Sequence, residues 1–202
     1  MIFDPLLKAW KASDFESVTD AFLSGRSVRV SGIKGSSRSL YFHQLQQHLQ
    51  MPLLVLTSST KQAEDDYSDL TFLSEHLGNT NPVYFPAHDT EPYQGISPHP
   101  QISVMRMQAL WHLTTDQTPI IVAPLSAAVQ WMAPRENFGR SLLTIEWGDE
   151  KSPVELAALL RSFGYKEKDL VTSRGEFALR GGILDLFSPA EAMPVRLEFF
   201  GN

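Results

Sequence analysis

The stretch RGEFALRGGILDLFSPAEAMPVRLEFFGN, residues 174–202, carries the clearest structural pattern in this chain. Apolar and polar residues alternate in three short runs, which the pair Gly181-Gly182 and a turn-like segment around Pro189 interrupt. Alternation with a period of two is typical of β-strands that bury one face. The stretch therefore predicts a small antiparallel sheet with one apolar face and one polar face.

The polar face of this predicted sheet carries Arg180, Arg196 and Glu198. Such a face is most often simply the solvated side of a sheet, on which Arg196 and Glu198 would pair with each other. Basic residues on a rigid sheet also suit the recognition of acidic side chains, so the alternative is a partner surface. The residue pattern leaves both interpretations open.

Composition limits the classes of protein that fit. The chain has 202 residues, 43% of them hydrophobic and 20% charged, no cysteine and a formal net charge of −6. This length suits one large domain or two small ones, and the lack of cysteine excludes disulfides and thiolate chemistry. The negative charge argues against a nucleic-acid module. Because no apolar run approaches the roughly 20 residues of a membrane span and no secretory signal pattern occurs, we expect a cytoplasmic protein without a membrane partner.

Helical and strand-like patterns alternate before residue 130. Ser59 and Gln62 form a capping-box pattern at the start of one predicted helix, and Gly78 predicts its end. Strands that alternate with helices imply a parallel sheet with right-handed crossovers. The predicted strands are 27–31, 52–57, 83–85 and 119–123, and the predicted helices are 3–23, 40–49, 60–77 and 101–113.

The pattern changes after about residue 130. Residues 141–146 have a strand pattern, and Ser152-Pro153 has the residue types of an N-cap and first position of a helix, which Gly164 ends. Together with the sheet of residues 174–202, these elements make a compact α+β unit. We therefore predict one domain over residues 1–130 and a second over residues 131–202.

Residues 32–39, GIKGSSRS, lie between a predicted strand and a predicted helix, which is the setting of a phosphate-binding loop. In the pattern G-x-x-x-x-G-K-[ST], Gly32 fills the first position and Ser39 the last. Ser37 replaces the second glycine and Arg38 replaces the lysine, whose compact ammonium group arginine does not reproduce. We interpret the segment as a degenerate P-loop, or a simple strand-to-helix loop, that does not hydrolyse ATP, with weak anion binding left open. Its residues are Gly32, Gly35, Ser37, Arg38 and Ser39.

Two stretches carry a family resemblance. RGEFALRGGILDLF at 174–187, followed by VRLEFFG at 195–201, resembles the signature that the damage-recognition protein UvrB shares with bacterial transcription-repair coupling factors. Residues 88–113 are similar to a segment of the coupling factors, with Glu91 in place of the usual leucine. The degenerate P-loop favours resemblance to the coupling factors over UvrB itself, because UvrB-like proteins have an intact P-loop. The matching positions within 88–113 are Asp89, Thr90, Pro92, Tyr93, Ser97, Pro98, His99, Arg106 and Leu110.

The resemblance implies a fold and a role. The α/β chain would consist of a RecA-like parallel-sheet half-domain, followed by a UvrA-binding α+β domain with an antiparallel sheet. It would act as a non-catalytic module that recruits UvrA to lesion-stalled RNA polymerase for nucleotide excision repair. The chain would be a monomeric fragment of an ATP-dependent DNA translocase, whose motor, ATP and Mg²⁺ site and contacts with RNA polymerase and DNA lie beyond residue 202.

The resemblance also implies which residues bind UvrA. The matching positions are Arg180, Arg196 and Glu198, with Arg174 and Lys166 as weaker candidates. Ala178 stands where UvrB-like proteins often have a further arginine, so part of that contact set is missing.

Two classes of function stay open. The first is the recruitment module, which needs no cofactor, and the second is a UvrB-like or helicase-like nucleotide-binding enzyme fragment that uses residues 32–39. The six histidines show no metal-binding spacing, and no G-x-S-x-G elbow occurs. We therefore expect neither a metal site nor a catalytic residue in this chain.

Overall fold

The computed structural model describes residues 12–78, 80–90, 95, 97–114, 118–132, 134 and 143–200, with side chains from residue 15 onward. The chain forms two compact units: a first unit of residues 1–97 and 115–130, and a second of residues 98–114 and 131–202. The assignment of a RecA-like domain to 1–130 and a UvrA-binding domain to 131–202 stays a prediction. In chain order the elements are α1 (Ala12–Leu23), α2 (Ser36–Leu49), β1 (Leu53–Thr57), α3 (Thr60–Leu77), β2 (Pro82–Tyr84), α4 (Pro100–His112), β3 (Ile120–Pro124), α5 (Leu125–Ala128), α6 (Pro153–Ser162), β4 (Lys166–Glu167), β5 (Glu176–Arg180), β6 (Ile183–Phe187) and β7 (Val195–Glu198).

The first unit contains the predicted parallel sheet, in the order β1-β3-β2. The central strand β3 is buried along its whole length, and α3 packs on the face of the sheet that carries Ile120 and Val122. Residues of the helix and the two strands β1 and β3 form this core: Val55, Ala63, Leu70, Ile120 and Val122.

Local signals at the ends of α3 act as predicted. The Ser59 hydroxyl accepts a hydrogen bond from the backbone N–H of Gln62, which satisfies one of the free donors at the helix start. Gly78 ends the helix with φ of +70°, a conformation that a Cβ atom disfavours.

The strand predicted at 27–31 is wrong. These residues form no strand, and Val28 and Val30 are exposed. Among the described residues, 27–31 pair with neither of the edge strands β1 and β2, so the alternating pattern has no partner strand and buries no face. Because a P-loop connects a strand to a helix, the predicted RecA-like P-loop is not confirmed.

The second unit contains a four-stranded sheet in the order β4-β5-β6-β7. The three strands predicted from 174–202 are present and antiparallel, but the two-residue strand β4 adds to β5 in parallel, so the sheet is mixed rather than antiparallel. The strand predicted at 141–146 is wrong for the described residues 143–146, which form no strand, although Ile145 packs against the core of this unit. Residues 141 and 142 lie outside the described part.

Helix α6 covers the apolar face of this sheet. The Ser152 hydroxyl caps the helix by accepting from the Glu155 N–H, and Pro153 opens it, as predicted. Its buried side chains pack against β5 and β6 in one cluster: Leu156, Ala157, Leu160, Phe177 and Leu184. Gln108 of α4 also belongs to this unit and donates to the Pro189 carbonyl at 2.6 Å.

Some sequence predictions fall on residues outside the described part. These are the start of the helical region predicted at 3–23, the family-matching positions Pro92 and Tyr93, and Glu91, which departs from the family pattern. Within the described ranges, no helix combines the length and the apolar character needed to cross a membrane.

Candidate partner-binding site

A two-residue hairpin sets the register of the sheet in the second unit. Gly181-Gly182 joins β5 to β6, with Arg180 opposite Ile183. Gly181 has φ of +60°, which the first central residue of a type II′ turn requires. A Cβ atom on Gly182 would lie 3.0 Å from the carbonyl oxygen of Phe199, so only glycine fits closely there. The two glycines therefore fix which side chains stand beside each other on the sheet.

Residues directly opposite each other on neighbouring strands project from the same face of a sheet. On the face away from α6, Ala178 pairs with Asp185, which pairs with Arg196. In the next row, Arg180 pairs with Ile183, which pairs with Glu198. We define this polar face by nine residues: Lys166, Glu176, Ala178, Arg180, Ile183, Asp185, Phe187, Arg196 and Glu198.

Asp185 lies at the centre of a charge cluster on the polar face. Arg196 donates two hydrogen bonds to it, from Nε to Oδ1 at 2.6 Å and from Nη2 to Oδ2 at 3.0 Å. Arg180 donates from Nη2 to Oδ2 at 2.7 Å. The side chain of Asp185 is 14% exposed, whereas those of Arg180 and Arg196 are 56% and 55% exposed. The carboxylate is thus covered by two guanidinium groups that still face solvent.

The cluster stays charged around neutral pH. Hydrogen bonds from Arg196, and then from Arg180, hold the pKa of Asp185 below its usual value, although partial burial opposes this shift. The Asp185 carboxylate in turn raises the pKa of Arg196. Two guanidinium groups and one carboxylate leave the cluster with one net positive charge.

Glu198 and Lys166 are exposed members of the same face. Neither side chain has an ion pair within 4.0 Å among the described residues. The expected alternative pairing of Arg196 with Glu198 is not formed, because Arg196 bonds to Asp185 instead. Lys166 stands opposite Glu176 on the edge strand β4, two strands away from β6, which carries Asp185.

Arg174 precedes β5 and packs on the polar face at its Phe187 end. Its guanidinium carbon lies 4.7 Å from the centre of the Phe187 ring, within the range of a cation–π contact. Its Nη2 donates to the carbonyl of Glu191 at 3.1 Å. Arg174 is therefore held against the sheet and is less available than Arg180 or Arg196.

Of the four members of the polar face that the sequence interpretation missed, Glu176 and Phe187 lie at its Lys166 end, and Asp185 and Ile183 lie beside Arg180. Ile183 is 36% exposed and lies between Arg180 and Glu198, so it adds apolar surface to this charged face. Counting outward from the Gly181-Gly182 turn could have found both residues, because a two-residue hairpin places Ile183 opposite Arg180 and Asp185 on the same face.

The side chains of the P-loop-like segment form hydrogen bonds with other residues of the first unit. Arg38 donates to Oδ1 of Asp66 in α3 from Nη2 at 2.6 Å and from Nε at 3.2 Å. Ser39 is fully buried, and its hydroxyl lies 3.3 Å from Asp66 Oδ1 and 3.4 Å from Asp69 Oδ2. The Ser37 hydroxyl donates to the Lys34 carbonyl at 2.6 Å.

Gly32 and Gly35 both have positive φ, at +88° and +58°, so the loop keeps the glycine-dependent backbone of its pattern. The side chains at the lysine and serine positions instead join α2 to α3. That arrangement differs from a P-loop, in which these groups point at phosphates and a metal ion.

Comparisons with known proteins agree with the two sequence signatures. Residues 143–202 match the model of the UvrB interaction domain family. The transcription-repair-coupling factor of Bacillus subtilis is 29% identical over 191 residues, which cover 94% of this chain and 16% of that protein. The namesake from Myxococcus xanthus is 31% identical over 192 residues, covering 93% and 16%, and the one from Haemophilus influenzae is 32% identical over 149 residues, covering 74% and 13%.

This chain thus spans about a sixth of the length of the first two of these relatives. The matches cover most of the chain, and the family model covers the part that carries the polar face. The chain is therefore a homologue of the transcription-repair-coupling factors, with a UvrB interaction domain over residues 143–202.

Proposed function

We propose that this chain is a non-catalytic recruitment module that binds UvrA through the polar face and brings it to RNA polymerase stalled at a DNA lesion. The observation that supports it most is the Arg180–Asp185–Arg196 cluster, which lies on an exposed face of the matched UvrB interaction domain. The same face holds all four strand residues that the resemblance implicated: Lys166, Arg180, Arg196 and Glu198.

The physical character of the face suits a protein partner. The exposed guanidinium groups of Arg180 and Arg196, on the two strands that flank β6, can each donate to carboxylates, and Ile183 adds an apolar contact between charged neighbours. Charge pairs that become desolvated in an interface cost about 2–5 kcal/mol when one partner is truncated.

The remaining partners and cofactors belong to the whole protein. We propose that parts of the whole protein outside this chain bind RNA polymerase and DNA and form an ATP- and Mg²⁺-dependent translocase motor. We also propose that this chain works in the cytoplasm as a monomeric unit with no cofactor of its own. The name shared by the relatives supports a role that couples transcription to repair.

The alternative, a nucleotide-binding enzyme fragment that uses residues 32–39, is supported by less. Arg38 and Ser39 are engaged by Asp66, and no strand precedes the loop in the described chain. Micromolar binding of ATP by the chain would favour this alternative over the recruitment module.

Titration calorimetry of the chain against purified UvrA tests the proposal. We expect binding, and we expect Arg180→Ala and Arg196→Ala each to weaken it at least tenfold, or about 1.4 kcal/mol. Arg161→Ala is the matched control, because Arg161 forms an ion pair with Glu167 at 2.6 Å. Glu167 stands opposite the core residue Phe177, so it lies on the other face of the sheet. Binding that survives both polar-face substitutions would move the site elsewhere, and a folded chain that does not bind UvrA would refute the function.

A further inference from the structure

We propose that Asp185 is a positioning residue of the UvrA-binding site, and that it holds Arg180 and Arg196 as a prearranged pair for two carboxylates of the partner. This inference rests on the proposed function and deepens it. Neither the sequence signature nor the resemblance pointed to Asp185.

The location of Asp185 suits this role. It lies on β6, between the strands β5 and β7 that carry the two arginines. Directly opposite on β5 stands Ala178, whose methyl group cannot compete for the carboxylate, so Oδ2 can accept from Arg180 in the neighbouring row. Asp185 is thus the one described acid that bonds to both arginines.

The bonding pattern leaves donors for a partner. A guanidinium group has five N–H bonds. Arg196 directs Nε and Nη2 at Asp185, and Arg180 directs only Nη2, so Nη1 of both groups has no bond to the described residues. Asp185 itself is only 14% exposed, so it acts on the partner chiefly through the arginines.

Two opposite effects of Asp185 on binding can be imagined. If it fixes the guanidinium groups, it removes rotamer freedom that binding would otherwise have to remove, which strengthens binding. If it competes with the carboxylates of the partner, it weakens binding. The bidentate geometry at 2.6 and 3.0 Å and the remaining free donors favour the first effect.

The test is Asp185→Asn, measured by titration calorimetry against UvrA. We expect binding about tenfold weaker than that of the unaltered chain, although the variant is more positively charged. Glu167→Gln is the matched control, since it removes the carboxylate from the Arg161 pair, in which Nε and Nη2 also donate, both to the Oε2 atom of Glu167. We expect that control to change binding less than twofold.

Two further measurements separate positioning from a general structural defect. In a background that already carries Arg180→Ala, the change in log Kd caused by Asp185→Asn should be at most half as large, because one of the two arginines that Asp185 positions is gone. In the free chain, the Arg196 Nε–H signal in ¹⁵N NMR should show order comparable to the backbone, and Asp185→Asn should abolish that order.

Each outcome has a distinct meaning. If the unaltered chain binds UvrA and Asp185→Asn binds it equally well or more tightly, only the positioning role is overturned. An undiminished effect in the Arg180→Ala background, or an Arg196 signal already mobile in the unaltered chain, also overturns it. Unaltered, folded chain that does not bind UvrA overturns the proposed function and this inference with it.

Discussion

Replacement of Arg38 by alanine should strongly destabilise the first unit. Arg38 forms a two-donor ion pair with Asp66, and the pair joins α2 to α3 across 28 positions of sequence. Asp66 is 2% exposed, so its carboxylate depends on neighbouring donors rather than on water. Without Arg38, this buried charge keeps only the Ser39 hydroxyl as a donor among the described contacts.

The size of the effect follows from the burial of the two partners. Removal of one partner from a buried ion pair costs about 3–5 kcal/mol. The Arg38 side chain is 30% exposed, so water can partly reach the vacated space and the Ser39 bond survives. We therefore expect a loss near the lower end, about 3 kcal/mol in the free energy of opening of α2 and α3.

Native-state hydrogen exchange measures this free energy within one unit, which whole-chain unfolding of a two-unit protein does not. The expected loss corresponds to roughly a hundredfold lower protection of the α2 and α3 amides. Lys61→Ala is the control, because Lys61 and Asp65 form a pair whose side chains are 84% and 62% exposed. Such a pair contributes about 0.5 kcal/mol or less.

A loss below about 1 kcal/mol for Arg38→Ala, no larger than that of Lys61→Ala, would refute this reasoning. It would mean that Asp66 is not held by Arg38 in solution. The P-loop-like segment would then be open to another role, since its arginine would be free to meet an anion.

Two more predictions concern a turn and a titrating group. Gly182→Ala should lower the stability of the second unit by about 1–3 kcal/mol, because the added Cβ lies 3.0 Å from the Phe199 carbonyl oxygen; native-state exchange of the β6 and β7 amides measures this, and unchanged protection would contradict it. Burial lowers the pKa of His43, although the Gly78 carbonyl that accepts from its ring opposes the shift. The unfolded chain therefore binds the proton more readily, so this contribution to stability is present above about pH 6.5 and is lost as the pH falls below it. Protection factors of the α2 and α3 amides, which correct for the intrinsic exchange rate at each pH, should differ more between pH 7.5 and 5.5 for the unaltered chain than for His43→Gln; equal differences would contradict the assignment.

Local signals in the sequence were sufficient for the elements whose cause is local. The capped helices at Ser59 and Ser152 and the three strands of 174–202 follow from residue types within a few positions of each other. In these segments capping, turn and periodicity signals all agree, and such agreement makes a prediction dependable.

Errors arose where the cause was distant in sequence. The alternation at 27–31 is a good strand pattern, but no edge of the parallel sheet is paired with it. Strand β4 has only two residues, too few for any periodicity, and exists because Glu176 and Phe177 of β5 offer it an edge. Strand patterns report a suitable face and do not report whether a partner strand is present.

The candidate site was predictable in part for the same reason. Arg180 and Arg196 were placed on one face by alternation alone, but their shared partner Asp185 follows from the pairing of β6 with both neighbours. The partner of Arg38 could not be predicted, because no local pattern links position 38 to Asp66.

The most direct test of the polar face as the UvrA-binding site is hydroxyl-radical footprinting of the chain with and without saturating UvrA. We expect the oxidation of Ile183, which lies between Arg180 and Glu198 at the hairpin end of the polar face, to fall severalfold in the complex. Leu54 and Leu56, which are 59% and 48% exposed on β1 in the first unit, should oxidise at unchanged rates. If UvrA instead protects Leu54 and Leu56 while Ile183 is oxidised as in the free chain, the polar face is not the UvrA-binding site.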